Sequence, residues 1–182
     1  MGRKAVLLVL CCALILVVAL PICLGQLFPC GYGDIVSAYA DENGLPPSLV
    51  YAVIWCESRF DPKAHSSADA CGLMQLRPAT FRELCEELGL SPGEDIFSPD
   101  ANIRCGTRYL GKLLTLFPEK TTALAAYNAG IGNVTAWLED PRYSDDGKTL
   151  HTIPFPETRS YVNKVFLAQK LYEKLYPQEG DS

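Results

Sequence analysis

Over 182 residues, 16 Lys and Arg face 21 Asp and Glu for a net charge of −5. With Arg3 and Lys4 of the leader set aside, the remaining 14 cations face the same 21 acids, a balance of −7, and no basic block or basic-aromatic stripe interrupts it. Nucleic acid is therefore excluded as an expected partner. His65 and His151 are the two histidines, and no CxxC or Cys/His ligand spacing accompanies them, so no metal and no cofactor is expected.

Residues 5–24 carry no charge. At about 1.5 Å of rise per residue they nearly match a hydrocarbon core of roughly 30 Å, which predicts a transmembrane helix. Arg3 and Lys4 precede it and no cation follows until Arg59, so the N-terminus is expected in the cytoplasm and the body outside. The exit, Leu20-Pro21-Ile22-Cys23-Leu24-Gly25-Gln26, is a poor cleavage site, which favours a retained anchor over a secreted form with the leader removed. The bulky Ile22 argues against lipidation of Cys23, and Cys11, Cys12 and Cys23 read as ordinary residues of an apolar span. The expected organisation is a membrane anchor or signal segment over 1–26 and one domain over 27–182, ending in a polar tail from Gln178.

Helical signals dominate the body. The sequence predicts a short helix over Asp34–Glu42 stopped by Gly44, and a second opened by Pro46-Pro47-Ser48 that closes near Glu57. Residues 59–71 read as loop, and 72–76 as a short extended piece. Pro78 starts a helix to Leu88 with Gly89 as its stop, and Ser98-Pro99-Asp100 starts one whose periodic Ile103, Leu110, Leu113, Leu114 and Phe117 carry it to Pro118. Two short helices follow, one ending at Tyr127-Asn128 and one over about 134–138. Residues 140–156 hold too many Pro, Gly and Asp for a helix and are expected to contain at most a small hairpin. The last helix is expected over about 158–175. The fold class is mainly α.

Glu57 stands out chemically. It ends an apolar helical stretch and faces the glycine-led Gly72-Leu73-Met74-Gln75, an arrangement that holds one acid in a half-dry cleft with its pKa raised toward neutrality. Hydrolytic glycosidases generally need two carboxylates, and Glu57 has no evident partner. Asp61 reads as a turn cap in its Asp-Pro step, and Asp69 as an exposed loop residue. Cys30, Cys56, Cys71, Cys85 and Cys105 lie outside the apolar span; an oxidising exterior permits disulfides, an odd count leaves a thiol unpaired, and the pairing stays open. A Cys56–Cys71 bridge beside the acid and two free buried thiols are both compatible with the sequence.

Four blocks, Glu57-Ser58-Arg59-Phe60-Asp61-Pro62, Gly72-Leu73-Met74-Gln75-Leu76, Ala125-Ala126-Tyr127-Asn128-Ala129-Gly130 and Ile153-Pro154-Phe155-Pro156-Glu157-Thr158-Arg159-Ser160-Tyr161-Val162, occur in one order across about 33–176. In them the body resembles the catalytic domain of the soluble lytic transglycosylases, the lysozyme-like SLT family, related in fold to goose-type lysozyme. The resemblance implies a peptidoglycan lytic transglycosylase in which one glutamate, here Glu57, acts first as acid and then as base. The bond cut joins N-acetylmuramic acid to N-acetylglucosamine, and the product ends in a 1,6-anhydro ring with no water consumed. It implies glycan contacts by Ser66, Gln75, Tyr127, Asn128 and Tyr161, with Tyr161 touching the acid. It implies peptidoglycan strands as partner, the membrane being a second partner through the leader. Family members often carry methionine where this chain has Arg77. A hydrolase of lysozyme type and a non-catalytic glycan-binding scaffold are the competing readings; the intact acid speaks against the scaffold.

Overall fold

The computed structural model describes residues 24–177 and, within the leader, residues 2, 3, 11, 14, 15, 17 and 22. It divides into two units, Met1–Gly31 and Tyr32–Ser182. The expected membrane span falls largely outside the described residues. Among those described, no helix is long and apolar enough to cross a membrane.

The second unit is helical as expected: α1 (Gly33–Glu42), α2 (Pro47–Ser58), α3 (Pro78–Glu87), α4 (Pro99–Leu116), α5 (Lys120–Ala129), α6 (Ile131–Leu138) and α7 (Pro156–Leu175). Four of these start with proline at the first helical position, where the missing N–H has no intrahelical partner to lose. Side chains cap two of the helices. Ser98 accepts from the Ala101 N–H ahead of α4, and Glu119 accepts from the N–H groups of Thr121 (2.9 Å) and Thr122 (2.7 Å) ahead of α5.

α2 is the central element. Leu49, Val50, Tyr51, Ala52, Val53 and Ile54 are all buried, so this helix is apolar all round and lies inside the molecule rather than on it. It packs most extensively on α7, whose Tyr161, Val162, Val165 and Tyr172 are buried, with the Tyr51 and Tyr172 rings stacked 5.4 Å apart. Truncating one of its aliphatic residues to Ala costs about 2–5 kcal/mol, which is the scale on which the acid-bearing helix is held in place.

Two expectations are corrected and a third is narrowed. Residues 72–76 are not extended: they form a closed turn in which the Cys71 N–H donates to the Leu76 carbonyl (2.9 Å) and the Leu76 N–H to the Cys71 carbonyl (3.0 Å). Residues 140–156, expected to hold at most a small hairpin, hold none; side-chain carboxylates close successive turns there, with Asp146 Oδ1 accepting from the N–H groups of Lys148 (2.8 Å) and Thr149 (2.7 Å). α6 starts at Ile131 rather than near 134, because Gly130, at φ 89° and ψ 150°, ends α5 and caps α6 in a single residue.

Candidate active site

Glu57 lies in the last turn of α2, half-buried. The chain then turns away abruptly through two successive left-handed residues, Arg59 (φ 55°) and Phe60 (φ 66°), a conformation that costs non-glycine residues free energy and that the surroundings must hold. They do so by ring contacts. The Arg59 guanidinium sits 3.3 Å from the centroid of the Trp55 ring, and Phe60 stacks on Tyr51 at 6.3 Å. Ser58 donates to the Ile54 carbonyl one turn back (3.2 Å), so its hydroxyl serves the helix end. Asp61 accepts from the Lys63 N–H (2.9 Å), the turn cap expected of it.

Burial pushes the Glu57 carboxyl up from 4.5 to about 7, and the neighbouring Tyr161 hydroxyl draws it partly back. The carbonyl end of α2 acts in the same direction as burial, since a helix C-terminus disfavours negative charge. Tyr161 comes from α7 and Tyr127 from α5; both phenols are pushed well above 10 by their own burial and next by the Glu57 charge, which keeps them protonated and able to donate. The Tyr161 hydroxyl is buried and completes no hydrogen bond of standard geometry, although it lies near enough to Glu57 for each to shift the other. It is the donor that stands beside the acid.

Facing Glu57 in the sequence pattern is the turn 71–76, and its support comes from elsewhere in the molecule. Asn102 of α4 is fully buried. Its Oδ1 accepts from the Met74 N–H (2.8 Å), while Nδ2 donates to the carbonyls of Cys71 (3.1 Å) and Ile96 (2.8 Å). Tyr127 donates to the Met74 carbonyl (2.8 Å) and packs against Tyr109 with ring centroids 5.5 Å apart. Gly72, at φ 77°, leaves no room for a side chain: a Cβ there would collide with Asn102 Nδ2 and lie 2.8 Å from the Ile96 carbonyl oxygen. Asn102 was not among the expected site residues. Its signal is a polar residue on the core face of a helix, three and four places before buried Cys105 and Gly106.

The expected glycan contacts separate on inspection. Gln75, in the left-handed region (φ 49°), donates through Nε2 to the Ala64 (3.1 Å) and Gly72 (2.9 Å) carbonyls, so its acceptor oxygen is the group left to meet a ligand. Ser66 Oγ accepts from the N–H groups of Ala68 (3.3 Å) and Ala70 (3.0 Å), and this hydroxyl folds its own loop while keeping a proton to donate. Asn128 is exposed, with Oδ1 held by Thr158 of α7 (2.8 Å). Leu73 and Met74 are core residues, as expected, and Gly106 of α4 is the gap into which Met74 fits. Cys56 and Cys71 are free thiols, not bridged to each other. The loop's fold also brings ligand atoms of His65, Asp69 and Cys71 within 4.8 Å of one another, a grouping the sequence reading did not name; the two exposed side chains are hydrogen-bonded together (3.0 Å).

Residues 34–149 match the family described as "Transglycosylase SLT domain". The chain is 34% identical over 155 residues to the soluble lytic murein transglycosylase of Escherichia coli K12, covering 82% of this chain and 24% of that protein. It is 31% identical over 167 residues to membrane-bound lytic murein transglycosylase C of Pectobacterium atrosepticum, covering 79% of this chain and 47% of the relative. The fold is similar to two solved structures. One is an inactive Glu-to-Gln mutant of lytic transglycosylase Slt from Pseudomonas aeruginosa (TM-score 0.72, 36% identity, 81% of this chain and 24% of that one). The other is the 70-kDa soluble lytic transglycosylase in complex with bulgecin A (TM-score 0.74, 29% identity, 85% and 26%). The chain thus spans about a quarter of the length of the soluble relatives it matches.

Proposed function

Because the chain belongs to the transglycosylase SLT domain family, we propose that it is a peptidoglycan lytic transglycosylase with Glu57 as its acid and base. The observation that supports this most is the half-buried Glu57 carboxyl in the last turn of α2, its pKa raised to about 7 by burial, with the buried Tyr161 hydroxyl beside it. Near neutrality that group is populated both as acid and as carboxylate, which a residue with two successive proton transfers needs.

Glu57 donates its proton to the oxygen linking N-acetylmuramic acid to N-acetylglucosamine as the glycosidic bond breaks, and the muramoyl acetamido group stabilises the positive anomeric carbon. The Glu57 carboxylate left behind accepts the Tyr161 hydroxyl's proton as a hydrogen bond. It then removes the proton from the sugar's own C6 hydroxyl, whose oxygen closes onto the anomeric carbon as a 1,6-anhydro ring. Proton and charge return to the start and no water enters. An attack from within the same sugar has a large effective molarity, so positioning does much of what a second carboxylate does in a hydrolase. Gln75 through its acceptor oxygen, Ser66 through its proton and Asn128 through its exposed amide are the assigned glycan contacts; Tyr127 holds the turn behind them.

Digestion of peptidoglycan in ¹⁸O-labelled water tests this reading. The released muropeptides should be lighter by one water than those of a lysozyme digest and carry no label at the new end. Stoichiometric label there would make the protein a hydrolase, and no cleavage by folded protein would favour a glycan-binding scaffold.

We also propose that residues 5–24 anchor the protein, with the domain of 27–182 outside the membrane. Among the described leader residues, Leu14, Ile15, Val17 and Ile22 are apolar and exposed, as side chains facing lipid would be. The full-length chain should resist carbonate extraction, and a reporter fused after residue 182 should work only if it functions outside the cytoplasm. A shortened soluble form starting near Gln26 would overturn the anchor.

A further inference from the structure

The turn 71–76 is gripped by two helices, and those helices bring two sulfurs together. Pro78 opens α3 two residues after Leu76, and Asn102 of α4 holds the turn's backbone from the other side. Cys85 on α3 and Cys105 on α4 are 8% and 0% exposed, and their Sγ atoms lie 3.8 Å apart within a cluster that includes Leu76, Phe81, Leu84 and Ala101. Cys105 follows Asn102 by three residues, one turn along the same helix. Cys56 and Cys71, which flank the site in sequence, make no such contact among the described residues.

We propose that Cys85 and Cys105 form a disulfide that ties α3 to α4 and thereby braces the catalytic turn. The proposal rests on the placement of the domain outside the cytoplasm, where such bonds persist. Two S–H bonds break and one S–S bond forms; the two protons and two electrons pass to a disulfide donor, which is reduced to two thiols. A bond of about 2.05 Å requires the sulfurs to close by less than 2 Å, within reach of small side-chain rotations on helices already packed together. Cys85 also lines a cavity of about 720 Å³ with Phe81, Leu90 and Ile96, which offers the donor a way in. Burial raises both thiols, more so Cys105, so few thiolates exist in the folded state and the bond should be set during folding.

The test uses the full chain in detergent, refolded with oxidised glutathione or with dithiothreitol. Alkylation followed by peptide mapping should find a Cys85–Cys105 crosslink only in the oxidised sample. Closing a loop of this length should raise the melting temperature by about 6–12 °C. A Cys85→Ala/Cys105→Ala double variant should melt at the same temperature in both samples. Both thiols remaining alkylatable after oxidative refolding, or a crosslink to another cysteine, would overturn the proposal, and a crosslink with no thermal effect would overturn the bracing. Mapping and melting need no glycan cleavage, so they stand or fall apart from the enzymatic reading. Protein alkylated inside living cells should carry the same crosslink; free thiols there would overturn the bond in the working protein, and the reporter fusion separately decides whether its placement is the cause.

Discussion

Two irregular regions of this molecule are built in opposite ways. The turn 71–76 is held from outside, by Asn102 of α4 and Tyr127 of α5, and nearly all of it is buried. The segment 140–149 is held from within, by carboxylates that bond the backbone two or three residues on. Their pH responses differ in sign. Burial raises Glu57, beside the first, from 4.5 to about 7, so the native state binds the proton more tightly and stability falls as pH rises across that window. In the second, the Lys148 and Thr149 N–H groups hold Asp146, and Arg142 with its N–H holds Asp140, down to about 2 from 3.8. Their contribution is complete above 3.8 and lost as pH falls toward 2. A buried site that strains its own acid and a surface turn that is content with its acids can thus be told apart by titration.

The largest effect expected is on turnover. Glu57→Gln keeps the shape of the acid without its proton and should lower the cleavage rate by at least roughly 10²- to 10⁴-fold while the helical circular dichroism is unchanged. A folded mutant with appreciable turnover would remove the single-acid mechanism.

Next comes the outside support. Asn102→Ala takes the acceptor from the Met74 N–H and the side-chain donor from the Ile96 carbonyl, while the Cys71 carbonyl keeps the Leu76 N–H, and should cost about 2–4 kcal/mol in denaturant unfolding. The same substitution at Asp146 should move the melting temperature little and leave turnover untouched. Equal effects at the two positions would erase the distinction between the regions.

Glu57 offers a third comparison, of about 3 kcal/mol at most: above pH 7 Glu57→Gln should be more stable than the parent by the cost of ionising the buried acid, and below pH 4 the two should coincide. Urea titrations at pH 4 and pH 8 read this directly. Smaller again is Tyr161→Phe, which removes the donor drawing Glu57 down. Its pH–rate profile should keep its form with the midpoint moved upward; an unmoved midpoint would mean that Tyr161 only packs.

Much of this was legible in the sequence. Proline starts and glycine stops marked the helices, and the apolar stretch before Glu57 marked the helix that carries it, although its burial on every side, from Leu49 to Ile54, was seen only in the fold. Local rules failed where the decisive partner is distant or unusual. The turn 72–76 looked extended because its short apolar run matches a strand, and nothing local shows that Asn102, 28 residues past Met74, will claim the Met74 N–H. No hairpin forms in 140–156, where Asp146 offers the backbone a side-chain acceptor in place of a cross-strand carbonyl. Glu57 was found because chemistry marks an acid in an apolar context, whereas Asn102 escaped because its function is to hold backbone, which no motif records.

The most direct test of the account is the titration of Glu57 itself, followed by ¹³C NMR of its side-chain carboxyl and assigned by the signal's absence in Glu57→Gln. A midpoint near 7 is expected from its burial in the last turn of α2. A midpoint near 4.5 would mean that the carboxyl is solvated, that it is ionised at neutral pH, and that it is not the acid this site has been built to hold.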